Sequence, residues 1–116
     1  MPKLEHGRKL TISLPWQETK AYLKLTHVDN QFACFVEGER VEIADRPNDD
    51  RRPPTLNLES GRTTRILMIG INTGGPYKFV GSVQFDRPGH DIEINVEGPE
   101  GNGLVFWSEL VVERKE

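Results

Sequence analysis

Three groups of side chains in this 116-residue sequence are of a type that carries chemistry. The first is a set of oxygen donors, Asp45, Asn48, Asp49 and Asp50, which suits a calcium ion seeking six to eight oxygen ligands. Their spacing is not that of the ordered calcium loop, and Arg46, Arg51 and Arg52 offset the charge. A solvated loop with internal ion pairs is the plainer reading of the set, and the arginines alone would suit an anion. The second group is aromatic: Trp16, Tyr77 and Trp107. An exposed ring stacks on the C–H face of a sugar while carboxylates and amides bond its hydroxyls, and Asp29, Asn30 and Glu109 are the polar partners on offer. Against this, each ring can plug the core or seal its rim, and turn chemistry accounts for Asp29-Asn30. The third group would be catalytic. His6, His27 and His90 lie far apart without zinc-ligand spacing, Cys34 sits among Phe32, Ala33, Phe35 and Val36 as a small buried residue, and Glu93, Glu97 and Glu109 read as outward strand residues. A catalytic constellation is therefore not expected.

The elements that must position these residues are strands. The longest apolar run, Thr64 to Asn72, places Ile66 and Met68 on one face and Leu67, Ile69 and Ile71 on the other, so both faces need a cover. Lys9 to Leu14 alternates until Pro15, as an edge strand would. Ala21, Leu23 and Leu25 mark a second buried face, Gln31 to Glu37 is apolar on both sides, and Glu37-Gly38 turns it back into Val41-Glu42-Ile43. Leu56 and Leu58 mark a short strand. Phe79, Val83 and Phe85 face inward from the strand after Gly74-Gly75-Pro76, and Ile92, Ile94 and Val96 alternate with polar neighbours. In the last strand a phase shift near Ser108 groups Leu104, Phe106, Leu110 and Val112 against Val105, Trp107 and Val111. Gly70, within the apolar run, predicts a bulge or a ring packed close to the backbone. Residues 44–55, with three prolines and a run of charges, form a long loop and are the first candidate to lie over the outer side of the apolar strand. A partner subunit is the other.

Composition sets limits on the partners. The net charge of −3 argues against general nucleic-acid binding, which rests on cations that neutralise phosphates. Residues 86–116 carry eight acidic against three basic side chains, a net of −5 that leaves +2 on residues 1–85. A single cysteine permits no intrachain disulfide. The N-terminus has no apolar signal core and no segment reaches the length that crosses a bilayer as a helix, which favours a cytoplasmic protein with no membrane partner.

The order Ala21-Tyr22-Leu23-Lys24-Leu25, Val28, Phe35 to Val41, Leu56 to Gly61 and Arg65 to Asn72 resembles the galactose-binding-domain-like jelly rolls attached to many sugar-processing enzymes. Glu37 replaces the turn asparagine of that pattern, and Thr63-Thr64 stands where a later asparagine would come. The likeness covers residues 20–85, with Asp91 to Val112 similar to the closing strand pair, and it implies a sandwich and, more loosely, carbohydrate recognition. The expectation is thus one all-β domain over residues 1–116, an antiparallel β-sandwich of jelly-roll type with about eight or nine strands and a flexible N-terminus at 1–8. The expected function is non-catalytic carbohydrate binding through Trp16, Asp29, Asn30, Tyr77, Trp107 and Glu109. No cofactor is expected beyond a structural calcium at Asp45, Asn48, Asp49 and Asp50. The alternative is an assembly or protein–protein interaction domain that forms a homo-oligomer, and Leu67, Ile69 and Ile71 discriminate between the two.

Overall fold

A computed structural model describes residues 2–15, 20–47, 55–58, 63–87 and 89–114. Nine strands make up the described fold: β1 (Arg8–Leu14), β2 (Lys20–Asp29), β3 (Gln31–Val36), β4 (Glu39–Ala44), β5 (Thr55–Asn57), β6 (Thr64–Thr73), β7 (Tyr77–Phe85), β8 (Ile92–Gly98) and β9 (Asn102–Arg114). They form two stacked sheets, β1-β9-β6-β3-β4 and β5-β2-β7-β8. The chain is the antiparallel β-sandwich that its alternating and doubly apolar segments require. One pairing departs from the antiparallel rule: β1 runs parallel to β9, Leu10 opposite Leu110.

The apolar run is β6, and it occupies the middle of the five-stranded sheet, between β9 and β3. Ile66 and Met68 are fully buried between the sheets, joined there by Phe32, Cys34, Phe106 and Leu110, while Ala21, Leu23, Phe79 and Val83 face them from the other sheet. Aromatic rings tie the layers: Phe32 lies 5.8 Å from Phe79 across the gap and 6.2 Å from Phe106 on its own sheet. Gly70 fulfils both expectations set for it. A Cβ there would stand 2.7 Å from the Phe79 ring, and the pairing with β9 slips between Gly70 and Ile71.

That slip corrects the reading of the last strand. Phe106, Ser108, Leu110 and Val112 all face inward without a change of phase, because the Ser108 hydroxyl donates to the Arg8 carbonyl (2.9 Å) and so is satisfied inside. The irregularity falls at Val105 instead, and it turns Leu104 outward, opposite Ile71. The N-terminus is a second correction. Residues 2–7 are not a loose tail: Leu4 is fully buried, its N–H donates to the Glu93 carbonyl (2.9 Å), and the Glu93 N–H donates to the Pro2 carbonyl (2.8 Å). The segment then crosses to the other sheet, where Gly7 N–H donates to the Trp107 carbonyl (2.8 Å) and His6 Nδ1 accepts from the Trp107 N–H (3.1 Å). It clasps one edge of both sheets.

Candidate functional site

The aromatic and acidic side chains expected to act together are divided between two places. Asp29 and Tyr77 meet at one end of the four-stranded sheet, because β2 pairs with β7 in a register that sets Asp29 opposite Lys78 and Lys78 opposite Glu97. With Pro76, Gly98 and Pro99 they line a rim groove of about 530 Å³. Tyr77 is half-buried, 6.3 Å from Phe79, and its ring lies so close to the backbone that a Cβ on Gly98 would stand 2.4 Å from it. It seals the end of the core and offers the groove an edge. Lys78 Nζ is 4.0 Å from Glu97 Oε2, and both side chains are well exposed.

Asn30 belongs to neither place. Its Oδ1 accepts from the Thr73 N–H (3.1 Å) and the Thr73 hydroxyl (2.7 Å), and its own N–H donates to the Ile71 carbonyl (3.2 Å). Its role is to fix the corner where the chain passes from β2 to β3. Asp45 is exposed with Arg46 3.9 Å away. Asn48, Asp49, Asp50 and Trp16 lie outside the described residues, as does the middle of the 44–55 loop, and no group of three or more metal-binding side chains occurs among the described residues.

The second place is the outer face of the five-stranded sheet, and it holds Trp107 and Glu109. Rows of paired residues cross it. Ile43, Ala33, Ile69 and Trp107 form one row across β4, β3, β6 and β9, and Arg40, Phe35, Leu67 and Glu109 form the next. Ile71 and Leu104 continue the apolar strip on the far side. Among the described residues the most exposed large apolar side chains are Ile43 (49%), Leu104 (53%) and Trp107 (39%), and all three belong to this face. Phe35, Leu67, Ile69 and Ile71, half-buried, join them into one patch. A shallow groove of about 620 Å³ runs through it, bordered by Glu37, Arg65 and Glu109. Arg65 Nη1 is 4.0 Å from Glu109 Oε1, so Glu109 is loosely paired. Glu37 anchors this border: its carboxylate accepts the Arg65 N–H (2.7 Å) and its own N–H donates to the Arg65 carbonyl (2.9 Å).

Two structural residues escaped the sequence reading. Asn72, buried at the end of β6, donates through Nδ2 to the carbonyls of Gly75 and Gly101, each at 2.9 Å, and pins the β6–β7 turn to the β8–β9 turn. An asparagine before Thr73-Gly74-Gly75 looks like turn chemistry, so its burial had no local signal. The Pro2–Leu4 clasp gave none either, since it contributes only one apolar side chain. Comparison with known protein families, with curated proteins and with solved structures finds no match to this chain.

Proposed function

We propose that the chain is a non-catalytic interaction module that binds protein through the outer face of its five-stranded sheet. The observation that carries this is the gathering of Ile43, Leu104 and Trp107 on that single face, with half-buried aliphatic and aromatic side chains filling the space between them. Scattered exposed apolar residues are ordinary, whereas a contiguous patch rimmed by charges marks an interaction surface. A sugar would need polar groups converging on the ring, but the row through Trp107 continues as Ile69, Ala33 and Ile43. Absence of catalysis is part of the same proposal. Glu109 stands on one sheet and Glu93 and Glu97 on the other, the latter two separated by four residues of strand, about 13 Å, which is too far to share a glycosidic bond.

Glycan binding is the second reading, and the rim groove favours it: the edge of Tyr77 adjoins the Asp29 and Glu97 carboxylates and the Lys78 ammonium. The jelly-roll assignment goes with it. Among the described strands only β3–β4 and β7–β8 connect within a sheet, every other connection passing between sheets, and this repeated crossing supports the jelly-roll reading.

Hydroxyl-radical footprinting tests the first reading. Ile43, Leu104 and Trp107 should be protected together in host extract relative to dilute purified protein, with Tyr22 on the opposite sheet labelled equally in both. Equal labelling of all four overturns it. So does calorimetric heat from a glycan panel at about 10 mM that disappears in Trp107→Ala, whereas heat lost only in Glu97→Gln supports the rim groove.

A further inference from the structure

Resting on the reading of that face as a protein-binding surface, we infer that its occupant is a second copy of this chain, packed sheet to sheet about a two-fold axis that runs parallel to the strands between β3 and β6. The argument comes from the rows. Such an axis exchanges β3 with β6 and β4 with β9 while keeping each row at its own height. In the first row it sets Ile43 of one copy over Trp107 of the other, and the small Ala33 over Ile69. In the second it sets Phe35 over Leu67, and Arg40 over Glu109 at both ends. Unlike charges meet, and apolar side chains meet apolar ones.

The charges single out this axis. The alternative two-fold in the same plane, perpendicular to the strands, exchanges the rows and lays Arg40 against Ile43 and Glu109 against Trp107, which buries charge without a partner. Arg40 is exposed and forms no ion pair among the described residues, and Glu109, opposite Lys9 in the β1 register, has among those residues one ion pair, the 4.0 Å contact to Arg65, so Arg40 above all has capacity for a partner in trans. Stacked sheets stand about 10 Å apart, within reach of a facing arginine and glutamate. Size agrees as well. Four strands and three residue rows span about 20 Å by about 20 Å, so two copies bury on the order of 1,000 Å² of accessible surface, the scale at which an interface becomes specific.

Sedimentation velocity from about 1 to about 200 µM tests the inference. The expected result is a particle of twice the 13.2 kDa chain mass, and a folded monomer for Ile69→Glu or, should that variant fail to fold, for Leu104→Glu. Arg40→Glu and Glu109→Arg should each weaken self-association by about 10-fold, and a mixture of the two variants should associate better than either alone, because both trans pairs of the mixed dimer are then complementary, one with the native sign and one reversed. A wild-type monomer at about 200 µM, a dimer that survives Ile69→Glu and Leu104→Glu, or a mixture no tighter than its components overturns it. A wild-type monomer whose face is still protected in extract removes the second copy and leaves the interaction-module reading standing. Failure of that protection removes the reading itself.

Discussion

The two sheets share one interior but present opposite exteriors. On the four-stranded sheet the outward row across β2, β7 and β8 reads Lys24, Ser82, Glu93, and the rows either side bring Gln84, His27, Asn95, Lys78 and Glu97, with Val80 the one aliphatic member. On the five-stranded sheet the corresponding central row reads Ile43, Ala33, Ile69, Trp107. A sheet with one solvated face needs only a single apolar period, and β8 keeps it cleanly. The second apolar period of β3, β6 and β9 is unnecessary for closing this core, since Ile66, Met68, Phe32 and Phe106 already do so. That second period is the surface the proposed association would use. Two predictions separate the two sides of β6 and then the two exteriors, and two more examine the corner and the rim where the exteriors meet.

The largest effect should come from crossing the sheet on a single strand. Met68→Ala empties a fully buried site and should cost about 2–5 kcal/mol, whereas Leu67→Ala, one residue away on the outer side, should cost less than about 1.5 kcal/mol in dilute protein. Urea unfolding at sub-micromolar concentration measures both. Equal losses would mean that the outer face is a core of its own, covered within the chain, and the contrast between the exteriors would collapse.

A charge placed on each exterior sharpens the contrast next. Val80→Glu enters a row of His27 and Asn95 and should leave stability within about 1 kcal/mol and the sedimentation coefficient unchanged. Ile69→Glu should also leave the fold intact but reduce self-association by about 100-fold or more, equivalent to about 2.7 kcal/mol. Indistinguishable behaviour of the two variants would show that the apolar exterior is no more engaged than the polar one.

Asn72 joins the exteriors at their common corner, and its replacement should have an intermediate effect. Asn72→Ala removes the amide that donates to the half-buried carbonyls of Gly75 and Gly101, leaving the Gly75 carbonyl only the Gly101 N–H, and should cost about 1–3 kcal/mol. Loosening of both turns together, visible as faster amide exchange at Gly101, whose N–H donates to the Gly75 carbonyl (3.1 Å), is the expected signature. Loss of stability with unchanged exchange there would assign Asn72 to packing alone.

Inner faces were legible in the sequence because alternation fixes which side chains point together: Ala21, Leu23 and Leu25, Phe79, Val83 and Phe85, and Ile92 and Ile94 are buried as the pattern requires. Leu104 was not, because one extra residue at Val105 reverses a side chain's face and leaves no mark on composition. The site was half legible. Trp107 and Glu109 share a face by period alone, but Asp29 reaches Tyr77 only through the β2–β7 register, and Arg40 reaches the row of Glu109 only through three successive pairings. Non-local register has no local signature. The parallel pairing of β1 with β9, which brings the two ends of the chain together, was hidden for the same reason.

The smallest effect belongs to the polar exterior. Lys78 and Glu97, 4.0 Å apart and substantially exposed, should couple by no more than about 0.5 kcal/mol in a double-mutant cycle of Lys78→Gln and Glu97→Gln, and added salt should weaken even that. Solvent competes for both groups, and fixing two long side chains in one geometry costs entropy comparable to the attraction gained. A coupling above about 1 kcal/mol would instead mean that Tyr77, Pro76 and Pro99 hold the pair rigid and partly dry, as a ligand groove requires. The polar exterior would then compete with the apolar face for the protein's function, and the same two variants, titrated with glycans, would show which face prevails.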